Sequence, residues 1–332
     1  MSGHAARVLT TLAILISLLA AASGFVSTSD AMATPSVTFN VMDYGAVHDN
    51  STDDVPAIKR AVAAAVAAGG GTVYLPAGTY LLYANEPIDH PSNSMQVNLL
   101  LRDHVTFKGD GIGKTILSNT GPSYTSTLGS TGGTDLHVAD MTLTTPLGTH
   151  LGDGDGIKLQ DCTNSTFTNV YAENYYTDFM IYGCRNVTLT GCIARGRKVL
   201  RGTHTEWADC MNFVIDSFSP TTFGHTNGVT LTNCASYESD QCGFWAYAGG
   251  GRGSDLFRVR NVTFKNCYAH DNDGAGFYTK WSYRVTYAGC RSNTNGWGFY
   301  LVHAKDYLVS RCTAQRNHKS QFRYVSSTAR RR

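Results

Sequence analysis

Four side chains that can exchange protons, Asp178, Tyr182, His204 and Glu206, come into one neighbourhood when the chain is laid out as a repeat. A step of 26 residues, which is also the spacing of two nearby cysteines, carries Asp178 to His204. A carboxylate about 5 Å from an imidazole raises the histidine pKa and orients the ring. The group predicts acid–base catalysis, with His204 or an ionised Tyr182 as the base and Glu206 or Tyr182 as the proton donor.

Polar, cationic and aromatic side chains fall on the same predicted outer strip. Aromatic faces pack against sugar rings, and ammonium groups hold carboxylates. We therefore predict that the strip binds an acidic polysaccharide. An alternative is an aromatic ladder that stabilises the sheet, with incidental charges. The residues expected to bind substrate are Lys158, Gln160, Trp245, Tyr247, Tyr278 and Lys280.

A separate feature is the Asp-Gly-Asp-Gly sequence at residues 153–156. This composition is typical of a turn. The carboxylates of Asp153 and Asp155 are also the kind of oxygen ligand that calcium prefers. The sequence requires no cofactor, and the two carboxylates could supply oxygen ligands to a cation such as calcium.

A repeat must position these groups. The clearest copies are VTFKNCYAHDNDGAGFYTK (262–280) and VTYAGCRSNTNGWGFYLVH (285–303), and repeat coils extend over residues 155–325. Short alternating segments broken by Asn, Asp and Gly, with a period of about 22 residues, are typical of a solenoid. We predict an all-β fold, a single-stranded parallel β-helix whose coils stack about 4.8 Å apart. The Phe179 column should point inward, which directs Asp178, Met180 and Tyr182 outward.

The nine cysteines all lie after residue 160, and five of them share one repeat position. A column that recurs once per coil and is apolar points inward, so we expect buried, stacked thiols that pack as small hydrophobic groups. Disulfides between neighbouring coils are the alternative, since the stacking distance falls in the allowed Cα range. The spacing does not resemble a zinc site. The column contains Cys192, Cys234, Cys267, Cys290 and Cys312.

The segment before the repeat, residues 34–85, reads as an N-terminal cap followed by the first strands. An acidic pair, an early Pro56 and a later glycine run are helix start and stop signals. Ile58, Val62 and Val66 recur every four residues and predict one buried helical stripe.

Residues 1–33 have the pattern of a secretory signal peptide: a basic start, an apolar run over 8–26, and Ala-Met-Ala at 31–33. We expect cleavage after Ala33 and an extracellular protein; a retained membrane anchor is the alternative. No later stretch reaches the roughly 18 apolar residues of a membrane span. Charged residues make up 16% of the chain and the net charge is +2, which argues against a nucleic-acid partner. The sequence does not predict the oligomeric state.

The stretch FNVMDYGAVHDNSTDDVPAIKRAVAAAVAAGGGTVYLPAGTYLL (39–82) resembles the N-terminal segment of the pectate-lyase-like superfamily, which includes rhamnogalacturonases and mannuronan epimerases. The later NDGAGFY and NGWGFY turns are similar to those of the epimerase catalytic module. The resemblance implies a right-handed parallel β-helix that acts on polysaccharide.

The chain departs from the motifs of that superfamily. Residues 178–183 stand where mannuronan epimerases carry Asp-Pro-His, and that triplet is absent. Of the catalytic motifs of polygalacturonases, only partial matches are present, at residues 154–157 and 177–178. Neither catalytic set can therefore be transferred to this chain.

Three functions remain at this stage. The first is a lyase or carbon-5 epimerase of a uronic-acid polymer, which removes the proton next to a carboxylate that Lys158, Lys280, an arginine or calcium neutralises. The second is a glycoside hydrolase that uses Asp178 and Glu206 as its two carboxylates. The third is a non-catalytic adhesin or carbohydrate-binding solenoid.

Overall fold

A computed structural model describes residues 37–88, 95–122, 124–146, 154–196, 210–217, 225–248 and 259–330. In these ranges the chain forms a short 3₁₀ turn (Val41–Tyr44), one α-helix, α1 (Val55–Ala67), and a series of strands. The strands are β1 (Thr38–Asn40), β2 (Asp49–Asp53), β3 (Gly71–Tyr74), β4 (Gly78–Leu82), β5 (Glu86–Ile88), β6 (Met95–Leu100), β7 (Val105–Lys108), β8 (Thr115–Asn119), β9 (Thr125–Thr131), β10 (His137–Thr144), β11 (Asp155–Gln160), β12 (Thr163–Glu173), β13 (Thr177–Tyr182), β14 (Arg185–Thr190), β15 (Ile193–Arg195), β16 (Met211–Asp216), β17 (Thr226–Thr232), β18 (Ala235–Tyr237), β19 (Phe244–Tyr247), β20 (Val259–Lys265), β21 (Tyr268–His270), β22 (Ala275–Lys280), β23 (Ser282–Ala288), β24 (Arg291–Asn293), β25 (Trp297–Val302), β26 (Lys305–Ser310), β27 (Thr313–Gln315), β28 (Ser320–Val325) and β29 (Thr328–Ala329).

These strands make two curved sheets. The first sheet runs β5-β6-β9-β11-β13-β16-β19-β22-β25-β28 and is parallel except for the β5–β6 pair. The second sheet contains the other 19 strands and follows two further sides of each coil, because β10 and β12 continue from one side to the next. From β6 onward, each described coil contributes one strand to the first sheet and passes on to the next coil, as predicted for a solenoid.

A stack of phenylalanine rings forms the core under the first sheet. Consecutive rings lie 4.7 to 5.1 Å apart and within 10° of parallel. Ring separations of this size are those of favourable aromatic contacts. The column confirms the prediction that the Phe179 position points inward on every coil. Its members are Phe179, Phe213, Phe244, Phe277, Phe299 and Phe322.

The length of a coil varies more than the sequence indicated. Phe277 pairs with Phe299, a step that matches the predicted period. Phe179, however, pairs with Phe213, and the coil between them is about half as long again. The predicted register between Asp178 and His204 was therefore wrong, because this coil holds a long connection between β15 and β16 instead of a short insertion.

Asparagines hold the turns that lead into the first sheet near the end of the described chain. The Asn272 side chain donates to the Asn295 side-chain oxygen at 2.8 Å, and Asn295 donates to Asn317 at 3.2 Å. All three side chains are buried, so each amide group needs such partners. The Asn residues of the repeat thus stabilise the coil corners.

The predicted helix is present as α1, with Pro56 in its first turn. Its buried side includes Val55, Ile58 and Val62, but Val66 is 48% exposed. The expected stripe was wrong at Val66 because the buried residues drift around a helix of 3.6 residues per turn when they recur every four. The helix contacts β1, β3, β6 and β7, and its role as a cap of the coils stays a prediction.

The five cysteines of the predicted column are unpaired in disulfides, and four of them are fully buried. Cys234 and Cys267 show the repeated contact: each thiol donates to a backbone carbonyl of the preceding coil, at 3.6 and 3.4 Å. Of the two alternatives, stacked free thiols and disulfides between coils, the structure has the stacked free thiols. Within the described ranges no helix combines the length and the apolarity needed to cross a bilayer. The predicted signal peptide, residues 1–33, lies outside the described residues.

Candidate functional site

Two columns of outward-facing side chains run along the first sheet, and we call them together the observed strip. Register partners on parallel strands point to the same side of a sheet, so each column has one member per coil. The strip spans about 29 Å, since seven strands are six steps of about 4.8 Å apart. Column one contains Lys158, Met180, Val214, Trp245, Tyr278, Tyr300 and Arg323; column two contains Gln160, Tyr182, Asp216, Tyr247, Lys280, Val302 and Val325.

Six residues of the predicted strip are thus brought together on one face, and a seventh, Tyr182, joins them. Most are half-buried, but Gln160 is only 4% exposed. Their neighbours include a group that sequence reasoning missed, Asp216. The predicted residues that lie on the observed strip are Lys158, Gln160, Tyr182, Trp245, Tyr247, Tyr278 and Lys280.

Asp216 is the one carboxylate in the two columns. It ends β16 and is the register partner of Tyr182 on one side and Tyr247 on the other. The backbone N–H of Ser217 donates to its carboxylate at 2.5 Å. The signal that could have found it is the likeness of Phe179-Met-Ile-Tyr182 to Phe213-Val-Ile-Asp216, which places Asp216 three positions after a core phenylalanine.

Two tyrosines of the observed strip, Tyr247 and Tyr278, have phenol groups that resist ionisation. Burial, and then the charge of Asp216, raise the pKa of Tyr247 above its ordinary value. Burial is also the main cause that raises the pKa of Tyr278, which packs against Trp245 with ring centroids 4.8 Å apart. These phenols are therefore proton donors at neutral pH.

Lys280 supplies a positive charge next to these groups. Its ammonium lies 5.3 Å from the ring centroid of Tyr247 and 4.2 Å from that of Trp281. Such cation–aromatic contacts hold the side chain in place without neutralising its charge. Trp281 follows β22 directly and was not among the predicted residues. Lys280 and the two rings form a surface that suits a sugar bearing a carboxylate.

At the other end of the strip, Lys158 is engaged by a carboxylate. Its ammonium lies 3.2 Å from Asp155, whose side chain is 2% exposed. Asp155 is one of the two predicted calcium ligands, and Asp153 lies outside the described residues. The described part of the chain contains no group of three His, Cys, Asp or Glu side chains arranged to hold a metal ion. Calcium binding by these residues stays a prediction.

Asp178 does not lie on the strip, and its predicted outward direction was wrong. Its side chain is 0% exposed. A Cβ built on Gly156, which occupies the same position on the previous coil, would lie 3.1 Å from the Tyr175 ring and 3.3 Å from the Ala172 Cβ, both in the core. Inward–outward alternation fails here because the chain turns a corner as it enters the first sheet, so this position and Phe179 both point inward.

The environment of Asp178 disfavours a charged carboxylate. Neither of its oxygens accepts a well-formed hydrogen bond from the described residues. Burial raises the pKa of Asp178 well above its usual range; the Tyr175 backbone opposes this shift, and the charges of Glu173 and Asp155 add to it. Burial therefore favours the neutral form of this carboxyl group, and the side chain cannot reach a polymer on the outer face.

Two other predicted catalytic residues, His204 and Glu206, lie outside the described residues. Their proposed register with β13 was wrong, because Met180 pairs with Val214. Both belong to the connection between β15 and β16, and their catalytic roles stay predictions.

Two family models match the chain. The model described as rhamnogalacturonase A/epimerase, pectate lyase-like, matches residues 38–191. The model of the right-handed β-helix region matches residues 144–314, which confirms the expected handedness. Together the matches cover nearly all of the described residues.

Individual relatives share segments of the chain. Mannuronan C5-epimerase AlgE1 of Azotobacter vinelandii is 45% identical over 95 residues, which are 29% of this chain and 6% of AlgE1. Alginate lyase 7 of the same organism is 42% identical over 79 residues, 24% of this chain and 8% of the lyase. The A-module of the A. vinelandii epimerase AlgE6 has a similar structure, with a TM-score of 0.64 and 25% identity, over 85% of this chain and 77% of the module. The chain thus spans a small part of the length of the curated relatives it matches.

Proposed function

Because the chain belongs to the pectate-lyase-like family of right-handed β-helix proteins, we propose that it removes the carbon-5 proton of uronic-acid residues in an acidic polysaccharide. The reaction is a carbon-5 epimerisation or a β-elimination. The observation that carries this proposal is column two, in which Tyr182, Asp216, Tyr247 and Lys280 follow one another on four consecutive coils.

The column contains the groups that this chemistry needs. The carbon-5 proton is weakly acidic, and neutralising the adjacent carboxylate makes its removal easier. Lys280 is placed for this task, since its ammonium group lies beside the rings of Tyr247 and Trp281. Asp216 acts as a proton acceptor within the site, and Tyr247, whose pKa is raised, acts as a proton donor. Trp245 and Tyr278 supply flat surfaces for neighbouring sugar rings.

Both reactions begin with the same step. The base takes the carbon-5 proton, and the electron pair of the C–H bond moves onto the carboxylate side of the sugar. In epimerisation a donor on the opposite face returns a proton to carbon 5. In β-elimination the electron pair forms a carbon–carbon double bond instead, and the glycosidic oxygen on carbon 4 leaves with a proton from Tyr247 or Tyr182. The two outcomes differ in which atom receives the second proton and in whether the bond between carbon 4 and the glycosidic oxygen breaks.

The relatives support this class of reaction and substrate. The matched segments come from proteins named as mannuronan epimerases and as an alginate lyase. A polymer of this kind lies outside cells, which is consistent with the predicted signal peptide. We therefore propose that the protein is secreted.

The hydrolase alternative receives less support. It required Asp178 and Glu206 as an exposed pair of carboxylates, and Asp178 is fully buried. In the observed strip Asp216 has no second carboxylate beside it at the separation of about 5 to 9.5 Å that hydrolases use.

The test is an activity screen of the full chain on polymannuronate, polyguluronate and polygalacturonate, with and without a chelator. Absorbance near 235 nm reports unsaturated sugars and identifies a lyase. Proton NMR of the recovered polymer reports inversion at carbon 5 and identifies an epimerase. New reducing ends without the absorbance would identify a hydrolase, and binding without any of the three signals would identify an adhesin; either result overturns the proposal.

A further inference from the structure

The charge of the chain is concentrated near its C-terminal end. Residues 307–332 contain seven Lys and Arg residues and no Asp or Glu. Since the whole chain has a net charge of +2, residues 1–306 carry a net charge of −5 (2 − 7). A segment of one sign on a protein otherwise of the opposite sign attracts a polyanion to one end.

Two of these cations sit over aromatic rings on the last two coils of the first sheet. Arg323 is the register partner of Tyr300 and lies 5.2 Å from the centroid of its ring. The Lys319 ammonium lies 3.8 Å from the ring of Trp297. Trp297 and Tyr300 themselves stack, with centroids 5.4 Å apart and planes 28° from parallel. The four residues form one surface, which we call the end site.

The cations of the end site are exposed to solvent. No ion pair joins Lys319 or Arg323 to a carboxylate within the described ranges, whereas Arg284 and Arg330 both pair with Asp306. A ligand with carboxylates and flat rings would pair with these cations and pack against the two aromatic rings.

We propose that the end site holds uronate residues of the polymer at a distance from the reacting sugar. This inference rests on the proposed function, which places the reaction at Asp216. Arg323 continues column one, and four strand steps separate β16 from β28, so the end site lies about 19 Å from Asp216 along the coil axis. One polymer chain that follows the strip reaches both places, whereas a short oligomer bound at Asp216 does not.

The test compares two double variants that each remove two positive charges. Lys319→Gln/Arg323→Gln alters the end site. Arg291→Gln/Arg311→Gln is the matched control, since both arginines are exposed and lie on or next to strands of the second sheet. Binding of the full chain to polymannuronate and polygalacturonate is measured by calorimetry at two salt concentrations, and thermal melting confirms that both variants are folded.

The end-site variant should bind long polymers roughly three- to thirtyfold more weakly than wild type, as expected for two exposed charge contacts, and with a smaller salt dependence. Oligomers too short to span about 19 Å should be bound equally by all three proteins. Equal weakening in the control variant would show a general charge effect and overturn the inference. Binding of single-stranded DNA as tight as that of the uronate polymers would also overturn it.

The outcomes separate this inference from the proposed function. If wild type converts the polymer and the end-site variant binds it normally, only the end site is wrong. If no polymer is converted but long chains bind wild type more tightly than the end-site variant, the proposed reaction is wrong and the end site stands. If wild type binds no uronate polymer, both are wrong.

Discussion

Asp216 and Tyr247 are register partners on adjacent parallel strands, so the carboxylate and the phenol leave the same face of the sheet one coil apart. The two groups interact electrostatically. Burial is the larger cause that raises the pKa of Tyr247, and the charge of Asp216 is the second cause. A carboxylate beside a phenol whose pKa is raised provides one proton acceptor and one proton donor. The relationship assigns different roles to two neighbouring side chains.

Replacing Asp216 with Asn should abolish most of the activity. The substitution keeps the shape of the side chain but removes the proton acceptor, for which a loss of about 10²- to 10⁴-fold in kcat is expected. Initial rates on the preferred uronate polymer provide the measurement. Asp43→Asn is the control, since Asp43 is exposed in the 3₁₀ turn far along the chain from the strip. An Asp216→Asn protein with wild-type rates would remove Asp216 from the mechanism.

Replacing Tyr247 with Phe should lower kcat by roughly 10- to 100-fold with little change in KM, because the ring remains and only the proton donor is lost. In wild type, ionisation of the Tyr247 phenol should cause no loss of activity as the pH rises to about 10, the ordinary tyrosine pKa, because the pKa of Tyr247 lies higher. Activity of the protonated form is lost only as the pH passes the raised value. Tyr83→Phe, at a residue 58% exposed, is the control. Assigning Tyr247 as donor fails if the two variants have equal rates.

Replacing Lys280 with Gln should raise KM for uronate polymers by about tenfold and reduce its dependence on salt. The reason is the loss of the cation that pairs with the sugar carboxylate. The aromatic rings around it stay in place, so neutral oligosaccharides should bind the variant and wild type equally. Lys114→Gln, in an exposed turn before β8, serves as the comparison. An unchanged KM in Lys280→Gln would mean that a different cation pairs with the carboxylate of the sugar.

Replacing Asp178 with Asn should stabilise the protein at neutral pH. The pKa of Asp178 is raised in the folded state, so the folded protein keeps a proton that the unfolded chain releases above about pH 3.9. In wild type the stability that comes from this retained proton is fully present below that pH. It is lost as the pH rises through the pKa of Asp178 in the folded protein. Asn carries no charge, so the variant should have a higher free energy of unfolding than wild type at pH 7.

The measurement for Asp178 is urea unfolding of both proteins between pH 4 and pH 8. The two curves of unfolding free energy against pH should diverge as the pH rises. Parallel curves, or a less stable variant at pH 7, would mean that Asp178 is ionised and paired in the folded protein. Activity of a folded Asp178→Asn protein should be that of wild type, since the side chain is fully buried.

Replacing Phe244 with Ala should lower the free energy of unfolding by about 3 to 5 kcal/mol. The ring is 0% exposed and lies between Phe213 and Phe277 at 4.8 Å from each, so its removal leaves a cavity inside the stack. Phe322→Ala is the comparison, because that ring is 38% exposed and should cost less. Equal losses in the two variants would show that the inner rings do not contribute more than the last one.

Much of the architecture could be read from the repeat. The Phe column, the cysteine column and the outward direction of Tyr182, Trp245 and Lys280 all follow from one rule, that equal positions on successive coils point the same way. The rule worked where the coils keep the predicted period, as between β22 and β25. It failed between β13 and β16, where the coil is much longer, and so it passed over Asp216.

The sequence by itself determined that the strands are short, that they recur, and that apolar columns alternate with polar ones, because these are local properties of the residues. The tertiary structure alone decided two points that bear on function. It set the length of each coil, since a connection of any length can join two stacked strands, and this brings Asp216 beside Tyr182. It also placed the bend at which the Asp178 side chain points into the core. The rule that side chains alternate between two faces holds for a straight strand and not for a bend.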